Sequence, residues 1–344
     1  MEYEKTARNL KAEILDSTLR DGAQGKGISY SVGDKLNILK ILDEFGVDFI
    51  EAGNPFSNPK DTEFFELAKA PEHRPKYAKL TAFGATKRKG IPPSADANLT
   101  ALLSAETEYI SIFGKSSELH AKEILGVELQ ENIDMIYDTV RYLTENGRKV
   151  LFDAEHFFDG YKLSPEYALK TLKTAQQAGA YRLILCDTNG GCFTDEIYSI
   201  TKKAVTASDI PVGIHCHNDM DLAVANSFSA LSAGAAHIQG TFIGTGERCG
   251  NTNLASVIPS LKLKLGYDCC RDISALTGTA RHIAEISNIS LRDSNAYVGV
   301  NAFSHKAGMH VDAIKKNSGS FEHISPYSVG NARDILVSEV SGRS

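Results

Sequence analysis

Short apolar runs alternate with longer segments of helical periodicity from residue 12 onward. In the longer segments apolar residues recur every three or four positions, as Leu36, Leu39 and Leu42 do, whereas the short runs are rich in β-branched and aromatic residues. The short runs predict eight strands, over residues 12–19, 47–52, 79–83, 109–113, 149–154, 182–186, 212–216 and 237–243. The longer segments predict a helix that starts near Pro165 and helices over residues 32–45, 61–69, 95–105, 129–146, 222–233 and 254–265.

Eight strand-then-helix units in about 255 residues are typical of a closed parallel (β/α)8 barrel, the TIM-barrel form of the α/β class. The alternative is a doubly wound open sheet, because strand order cannot be read from one sequence. Both architectures place ligands at the carboxyl ends of the strands.

The pattern changes beyond Gly266, so we expect a barrel domain over residues 1–266 and a small accessory subdomain over residues 267–344. The accessory subdomain, with a helix over residues 272–286, is expected to pack on the barrel or on a partner subunit.

Composition narrows the classes of partner. The 344 residues are 42% hydrophobic and 23% charged, which is typical of a globular protein. A net charge of −6 and a pI near 6.0 argue against nucleic acid as a partner, although a small anionic substrate needs only a few local cations. The six cysteines form no Cys-x-x-Cys pair, and neither a signal core nor a membrane-length apolar run is present. We therefore expect a cytoplasmic protein with reduced thiols and no membrane partner.

The seventh predicted strand leads into two histidines, His215 and His217, and their spacing places both imidazoles on one face of the chain. Two imidazoles suit a divalent metal, but a site needs a further ligand from elsewhere in the chain. Asp21, near the end of the first strand, is the expected carboxylate, and Asn251, after the eighth strand, is another candidate. Other polar residues also lie at or just beyond strand ends, and the barrel would bring them to the same rim: Arg20, Glu155, Asp187 and Thr188.

Three segments, in this order along the chain, resemble the metal-dependent acyl-CoA condensing barrel family, which includes 2-isopropylmalate, homocitrate and citramalate synthases. They are residues 16–24 (DSTLRDGAQ), 215–219 (HCHND) and 246–251 (GERCGN). The citramalate synthase branch condenses acetyl-CoA with pyruvate, and similarity to it is carried by residues 50–55, 113–116 and 152–160. The resemblance covers essentially the whole chain. It implies an acyltransferase of amino-acid biosynthesis that uses acetyl-CoA as co-substrate.

The resemblance also implies a metal site made of Asp21, His215 and His217, with Asn251 near or completing it. Two imidazoles, a carboxylate and an amide favour zinc or manganese, with magnesium as an alternative. A 2-oxo acid that chelates the ion through its carboxylate and keto oxygens would have its keto carbon polarised. Arg20 would face the keto oxygen and add positive charge where an alkoxide develops.

Further residues are implied to bind substrate and to move protons. Thr188 matches the residue that binds the substrate carboxylate, and Glu155 matches a catalytic glutamate. His310 and Asp312 match residues that reach the active site of the partner subunit in a homodimer. The base that removes a proton from the thioester methyl group is either Glu155 or His310, and the sequence does not choose between them.

The choice of 2-oxo acid depends on the pocket. Asp153 lies two residues before Glu155 on the same strand face, and a negative charge there would disfavour 2-oxoglutarate and hence homocitrate synthesis. Pyruvate and 2-oxoisovalerate differ in size, so the choice between them depends on the volume of the pocket, which the sequence does not give. A hydroxyacyl-CoA lyase of the same superfamily and a non-enzymatic metal or ligand sensor are the rival functions. In synthases of this family a regulatory domain that binds the pathway's end-product amino acid usually follows, and we expect this chain to lack it.

Overall fold

Eight parallel strands close into a barrel in chain order, and β1 pairs with both β2 and β8. The structure is a computed structural model that describes residues 11–336, so the first ten and last eight residues of the two predicted domains lie outside the described residues. Closure confirms the predicted TIM barrel and rules out the open sheet. The strands are β1 (Glu13–Asp16), β2 (Phe49–Glu51), β3 (Lys79–Ala85), β4 (Tyr109–Lys115), β5 (Lys149–Glu155), β6 (Arg182–Asp187), β7 (Val212–Cys216) and β8 (His237–Gly240).

Helices follow the strands and cover the outside of the barrel. The prediction for the first helix is confirmed at both ends because the chain carries strong local signals there. Ser31 and Asp34 form a reciprocal capping box, and Gly46 ends the helix in the left-handed conformation. The helices are α1 (Val32–Phe45), α2 (Pro59–Ala68), α3 (Ala97–Ser104), α4 (Leu129–Glu145), α5 (Phe157–Leu163), α6 (Pro165–Gln177), α7 (Thr194–Thr206), α8 (Ala223–Ser232) and α9 (Leu254–Pro259), which continues into a π-helical turn (Ser260–Leu265).

Some predicted boundaries are wrong. The first strand ends at Asp16 rather than residue 19, because Asp16 Oδ1 accepts the Thr18 N–H at 2.8 Å and turns the chain. Helix α5 was not predicted, since it is only seven residues long and starts after His156 in the left-handed conformation, without a side-chain cap. Helix α7 was also missed, although its buried residues Ile197, Ile200 and Ala204 recur at helical spacing.

The core has two layers. Inside the barrel, large side chains from several strands pack together, as Leu15, Phe49, Leu151 and Ile184 do. A much larger apolar cluster lies between the strands and the surrounding helices. The interior layer fills the lower part of the barrel, so the barrel is a packed core there, and the polar rim above it is open to ligands.

The region after the barrel packs on its side. Helix α10 (Leu276–Ile286) contacts α1, and the Tyr30 and Ser287 hydroxyls are hydrogen-bonded at 2.7 Å. Beyond α10 come a short parallel pair, β9 and β10, and one exposed helix, α11. Their bounds are β9 (Ser304–His305), α11 (Gly308–Lys316) and β10 (Asp334–Ile335). Across residues 11–336, no helix combines the length and apolarity that a membrane span requires.

Candidate active site

Arg20 and Asp21 lie in the turn that follows β1 and point into the upper barrel. The Arg20 guanidinium donates from Nη1 to Asp21 Oδ2 at 3.0 Å and from Nε to Glu51 Oε2, at the end of β2, at 2.6 Å. Its flat face lies 3.9 Å from the centre of the Phe83 ring. Burial alone would lower the pKa of Arg20, but the negative charges of Glu51 and Asp21 raise it. Arg20 is therefore a fixed cation at the strand ends.

The two histidines converge on Asp21. His215 Nε2 is 3.6 Å and His217 Nε2 is 4.0 Å from Asp21 Oδ2, and one ligand atom from each of the three residues lies within 4.8 Å of the others. These separations are too long for hydrogen bonds and fit donors arranged around a shared ion. Burial lowers the pKa of His215 to about 3 and also lowers the pKa of His217. Both imidazoles are therefore neutral at physiological pH, which is the form that binds a metal.

Asn251 lies beside these three residues, because its backbone bridges to His217. Its Nδ2 donates to Asp21 Oδ1 at 2.9 Å, while its Oδ1 is buried without a protein partner. The approach is close: a methyl group on Gly246 would lie 2.2 Å from Asn251 Nδ2. Buried amide oxygens are normally hydrogen-bonded, so this oxygen is available to a further group at the site.

The charge balance at the site also favours a cation. Arg20, whose side chain is 13% exposed, is a cation that faces three acids, Asp21, Glu51 and Asp153. Burial opposes the ionisation of Asp21, yet the positive charge of Arg20 lowers its pKa to about 2. Burial and the neighbouring Glu51 raise the pKa of Asp153 well above its ordinary value. Buried negative charge without a matching partner is unfavourable, so these residues fit a divalent metal ion.

The site opens into a cavity of about 290 Å³ at the carboxyl ends of the strands. Six of the nine predicted site residues line it, while Asn251 lies behind Asp21. The full lining is Arg20, Asp21, Gln24, Phe83, Phe113, Asp153, Glu155, Cys186, Thr188, His215, His217, Glu247 and Arg248. One rim therefore brings together most residues that the sequence placed at strand ends. Asp187 does not line this cavity; it is buried and accepts weak backbone hydrogen bonds from the loop after β6.

Glu155, at the end of β5, and Thr188, just after β6, also line the cavity. Glu155 forms an ion pair with Lys115, at the end of β4. Thr188 Oγ1 accepts the His156 N–H at 2.8 Å, so the hydroxyl proton of Thr188 remains available for another acceptor. Arg248 donates to the Thr188 carbonyl at 2.8 Å and makes two hydrogen bonds, at 2.7 and 2.9 Å, to Asp219.

His310 and Asp312 do not line the cavity of their own chain. Both lie on the exposed face of α11, where the His310 ring stacks on Phe321 at 3.9 Å and Asp312 accepts a hydrogen bond from Lys316. The prediction that they act in the active site of a partner subunit stays a prediction.

Several site residues were missed by sequence reasoning. Glu51 and Gln239 are wholly buried polar residues within barrel strands, and Gln239 contacts His215. A polar residue in an otherwise apolar strand was the available signal for both. The pKa of Asp153 is raised, which favours the neutral acid. A negative charge on Asp153 therefore gives no ground for excluding 2-oxoglutarate. Asp153 does line the cavity beside Glu155, on the face that the strand spacing predicted.

The comparisons with known proteins agree with this geometry. Residues 11–283 match the family model described as HMGL-like. The chain belongs to the HMGL-like family. A second model, described as Homocitrate synthase post-HMGL domain-like, matches residues 297–344. These matches confirm the family resemblance that the three motifs indicated.

Relatives within this family are similar over nearly the whole chain. The chain is 50% identical over 97% of its length to an (R)-citramalate synthase from Aquifex aeolicus (strain VF5), and 47% identical over 96% to one from Geobacter sulfurreducens. It spans 63% of the length of each of these two proteins. Identity to a 2-isopropylmalate synthase from Sulfolobus acidocaldarius is 37%, over 96% of this chain and 83% of that protein.

Solved structures of HMG-CoA lyases share the fold. The enzyme from Pseudomonas aeruginosa superposes with a TM-score of 0.69 at 20% identity, covering 82% of this chain and 96% of that chain. The enzyme from Brucella melitensis gives a TM-score of 0.67 at 18% identity, covering 81% of this chain and 99% of that chain. At this identity the likeness concerns the barrel architecture alone.

Proposed function

We propose that this chain carries the catalytic site of an acyltransferase that condenses acetyl-CoA with pyruvate to give (R)-citramalate and CoA. The observation that carries the proposal is the convergence of Asp21, His215 and His217 beside Arg20 in a cavity that also contains Glu155. Identity of 44–50% to five (R)-citramalate synthases supports pyruvate as the 2-oxo acid. The chemistry would be carried by the barrel, with residues 267–344 as the accessory subdomain.

Asp21, His215 and His217 would hold a divalent ion, with Asn251 beside them. When bound there, such an ion supplies a Lewis acid that polarises the keto group of a 2-oxo acid. Zinc or manganese suits this donor set, with magnesium as an alternative. The protein contributes Arg20, whose guanidinium lies in the cavity wall and stabilises negative charge on the former keto oxygen.

Thr188 would bind the carboxylate of the 2-oxo acid. Its oxygen already accepts the His156 N–H, which supports this role because its own proton can be donated to a ligand in the cavity. The stacked rings of Phe83 and Phe113, 5.2 Å apart, form an apolar part of the cavity lining and suit a small methyl group. A hydroxyl donor and an apolar surface in one cavity thus match the two ends of pyruvate.

Condensation requires a base for the methyl group of the thioester. Glu155 is the base candidate that this chain brings to its own cavity, where it forms an ion pair with Lys115. The methyl proton moves to the base, the resulting enolate attacks the keto carbon, and water then cleaves the thioester to release the CoA thiol. His310 is the other candidate base, and it would act with Asp312 from the partner subunit of a homodimer. We expect this homodimer to be cytoplasmic.

A thiol-release assay tests the function directly. Acetyl-CoA is offered with pyruvate, 2-oxobutyrate, 2-oxoisovalerate or 2-oxoglutarate, each with Zn²⁺, Mn²⁺ or Mg²⁺, and we expect the highest kcat/KM with pyruvate. A preference for 2-oxoisovalerate would make the protein a 2-isopropylmalate synthase instead. Formation of acetyl-CoA from a hydroxyacyl-CoA, without condensation, would favour a lyase. The absence of turnover with every acid and every metal would favour a sensor.

A further inference from the structure

Gln239 connects the predicted metal site to the opposite wall of the cavity. It lies on β8 with no exposed surface, and it is the strand neighbour of His215 on β7. Its side chain crosses the barrel interior, since Oε1 is 3.1 Å from His215 Nδ1 and Nε2 donates to Asp153 Oδ1, on β5, at 3.1 Å. Strands β5 and β8 are not neighbours in the barrel, so the amide joins two groups that no strand pairing brings together.

The orientation of this amide determines which nitrogen of His215 carries the proton. An amide oxygen can only accept, so the partner of Gln239 Oε1 must be a protonated Nδ1. The neutral imidazole has a single N–H, and its Nε2 therefore keeps a lone pair. That nitrogen faces Asp21 at 3.6 Å, on the side where the ligand atoms converge.

The second histidine has no such support. His217 Nδ1 is buried without a protein partner, so nothing among the described residues fixes its tautomer through a hydrogen bond. His215 is thus the imidazole whose ring orientation and proton are set by the protein. A neutral amide is suited to this position, because a carboxylate would add another acid beside Asp153 and Glu51, and an alkyl chain would leave two buried polar groups unpaired.

We propose that Gln239 is a positioning residue that holds His215 in its Nδ1-protonated form, ready to bind a metal through Nε2, and ties it to the cavity-lining Asp153. The inference rests on the metal site of the proposed function. It does not depend on which 2-oxo acid is used. An imidazole binds a metal better through one nitrogen when its other nitrogen donates to an outer partner. Loss of that partner lowers metal affinity by about 10- to 100-fold.

The first test uses the metal-free protein. With ¹⁵N-labelled histidine, and with the His215→Gln variant to assign the signal, NMR reports which ring nitrogen of His215 is protonated. We expect the Nδ1–H form in the wild type and a mixture of the two forms in Gln239→Met, whose side chain is similar in length but cannot accept. An Nε2–H form in the wild type, or an unchanged Nδ1–H form in Gln239→Met, would overturn the proposal.

The second test measures the affinity for Zn²⁺ and Mn²⁺ by calorimetry. Gln239→Met should bind about 10- to 100-fold more weakly than the wild type. Gln239→Glu still accepts from Nδ1–H and should retain the affinity, but it should be less stable because it adds an acid beside Asp153. The matched control is Asn226→Leu, which removes a buried amide that donates to the Cys192 carbonyl at 2.9 Å on the outside of the barrel. The thermal unfolding midpoint of each variant shows whether it is folded.

The outcomes separate this inference from the proposed function. If Gln239→Met is folded and binds metal as tightly as the wild type, or if Asn226→Leu weakens binding equally, Gln239 has no positioning role. If the expected affinities are found but no 2-oxo acid is condensed, the positioning role stands and the proposed function fails.

Discussion

The two ends of the barrel each contain an arginine, a carboxylate and histidine, but they use them differently. At the amino end Arg182 makes two hydrogen bonds of 3.1 Å to Glu13, and His237 lies 3.4 Å from the same carboxylate. At the carboxyl end Arg20 divides its hydrogen bonds between two acids, and both histidines remain beyond hydrogen-bond distance of Asp21. The amino end is a closed cluster that stabilises the fold, whereas the carboxyl end leaves donor atoms for a ligand.

Both arginines also lie over an aromatic ring at the same distance of 3.9 Å, Arg182 over Tyr181 and Arg20 over Phe83. Composition and local packing therefore do not distinguish the two clusters. What differs is the number of polar atoms without a protein partner: around Asp21 these include Glu51 Oε1, Asn251 Oδ1 and His217 Nδ1. In the amino-end cluster, among the described residues, His237 Nε2 is such an atom. Unpartnered polar atoms are thus the better guide to function in this barrel.

The largest effect on turnover is expected from Asp21→Ala. Loss of the central carboxylate should abolish metal retention and lower kcat/KM by on the order of 10³-fold or more, while the packed interior keeps the fold. Metal content by mass spectrometry, thiol release and circular dichroism measure the three properties, and His217→Ala should behave alike. Wild-type turnover of either variant in metal-free buffer would show that the metal site is misassigned.

Glu155→Gln should have the next largest effect. If Glu155 is the base, kcat falls by about 10²- to 10⁴-fold, while the KM for pyruvate changes little. Glu166→Gln, on the exposed side of α6, is the matched control and should leave both constants unchanged. Unchanged turnover in Glu155→Gln would remove this residue from the mechanism and leave His310 as the base.

Gly246→Ala is expected to have a smaller effect on the same end of the barrel. The added methyl group would displace the Asn251 side chain from Asp21, and metal affinity should fall by roughly tenfold. Gly278→Ala on α10, where a methyl group meets no atom within 4 Å, is the control and should bind metal normally. Calorimetry compares the two, and equal affinities would mean that Asn251 does not support the site.

Glu13→Gln should change stability and leave turnover almost unaffected. Burial opposes ionisation, but the hydrogen bonds from His237 and Arg182 lower the pKa of Glu13 from 4.5 to about 2. Because the folded-state pKa is the lower one, the stabilisation is complete above the unfolded value of 4.5 and is lost as the pH falls towards 2. We expect the variant to be less stable by about 2 kcal/mol at pH 7, after allowance for solvent screening.

Urea unfolding of wild type and Glu13→Gln at several pH values measures this difference. The two free energies of unfolding should differ by a constant amount above about pH 5 and converge as the pH approaches 2. A large loss of turnover at pH 7 would contradict the assignment of the amino-end cluster to stability alone.

The sequence predicted the barrel and most of its rim because both depend on local patterns. Strand and helix periods identify the units, and a metal-binding pair such as His215 and His217 is visible within three residues. The roles of Glu51 and Gln239 depend on which strands become neighbours and on what lies across the barrel, and one sequence does not contain that information. His310 was predicted from family resemblance, and its exposed position on α11 does not test the partner contribution.

Under the proposed function, the hydrogen bonds of Arg248 affect where the bulky thioester enters. This residue, with a left-handed φ of 53°, links the loop after β8 to Asp219 in the loop after β7 and to Thr188 in the loop after β6. Arg248 thereby joins three of the eight loops at the cavity mouth to one another. We expect the proposed coenzyme to enter past the loops after β2 to β4, and the amides of those loops should exchange hydrogen with solvent faster than those of the three joined loops.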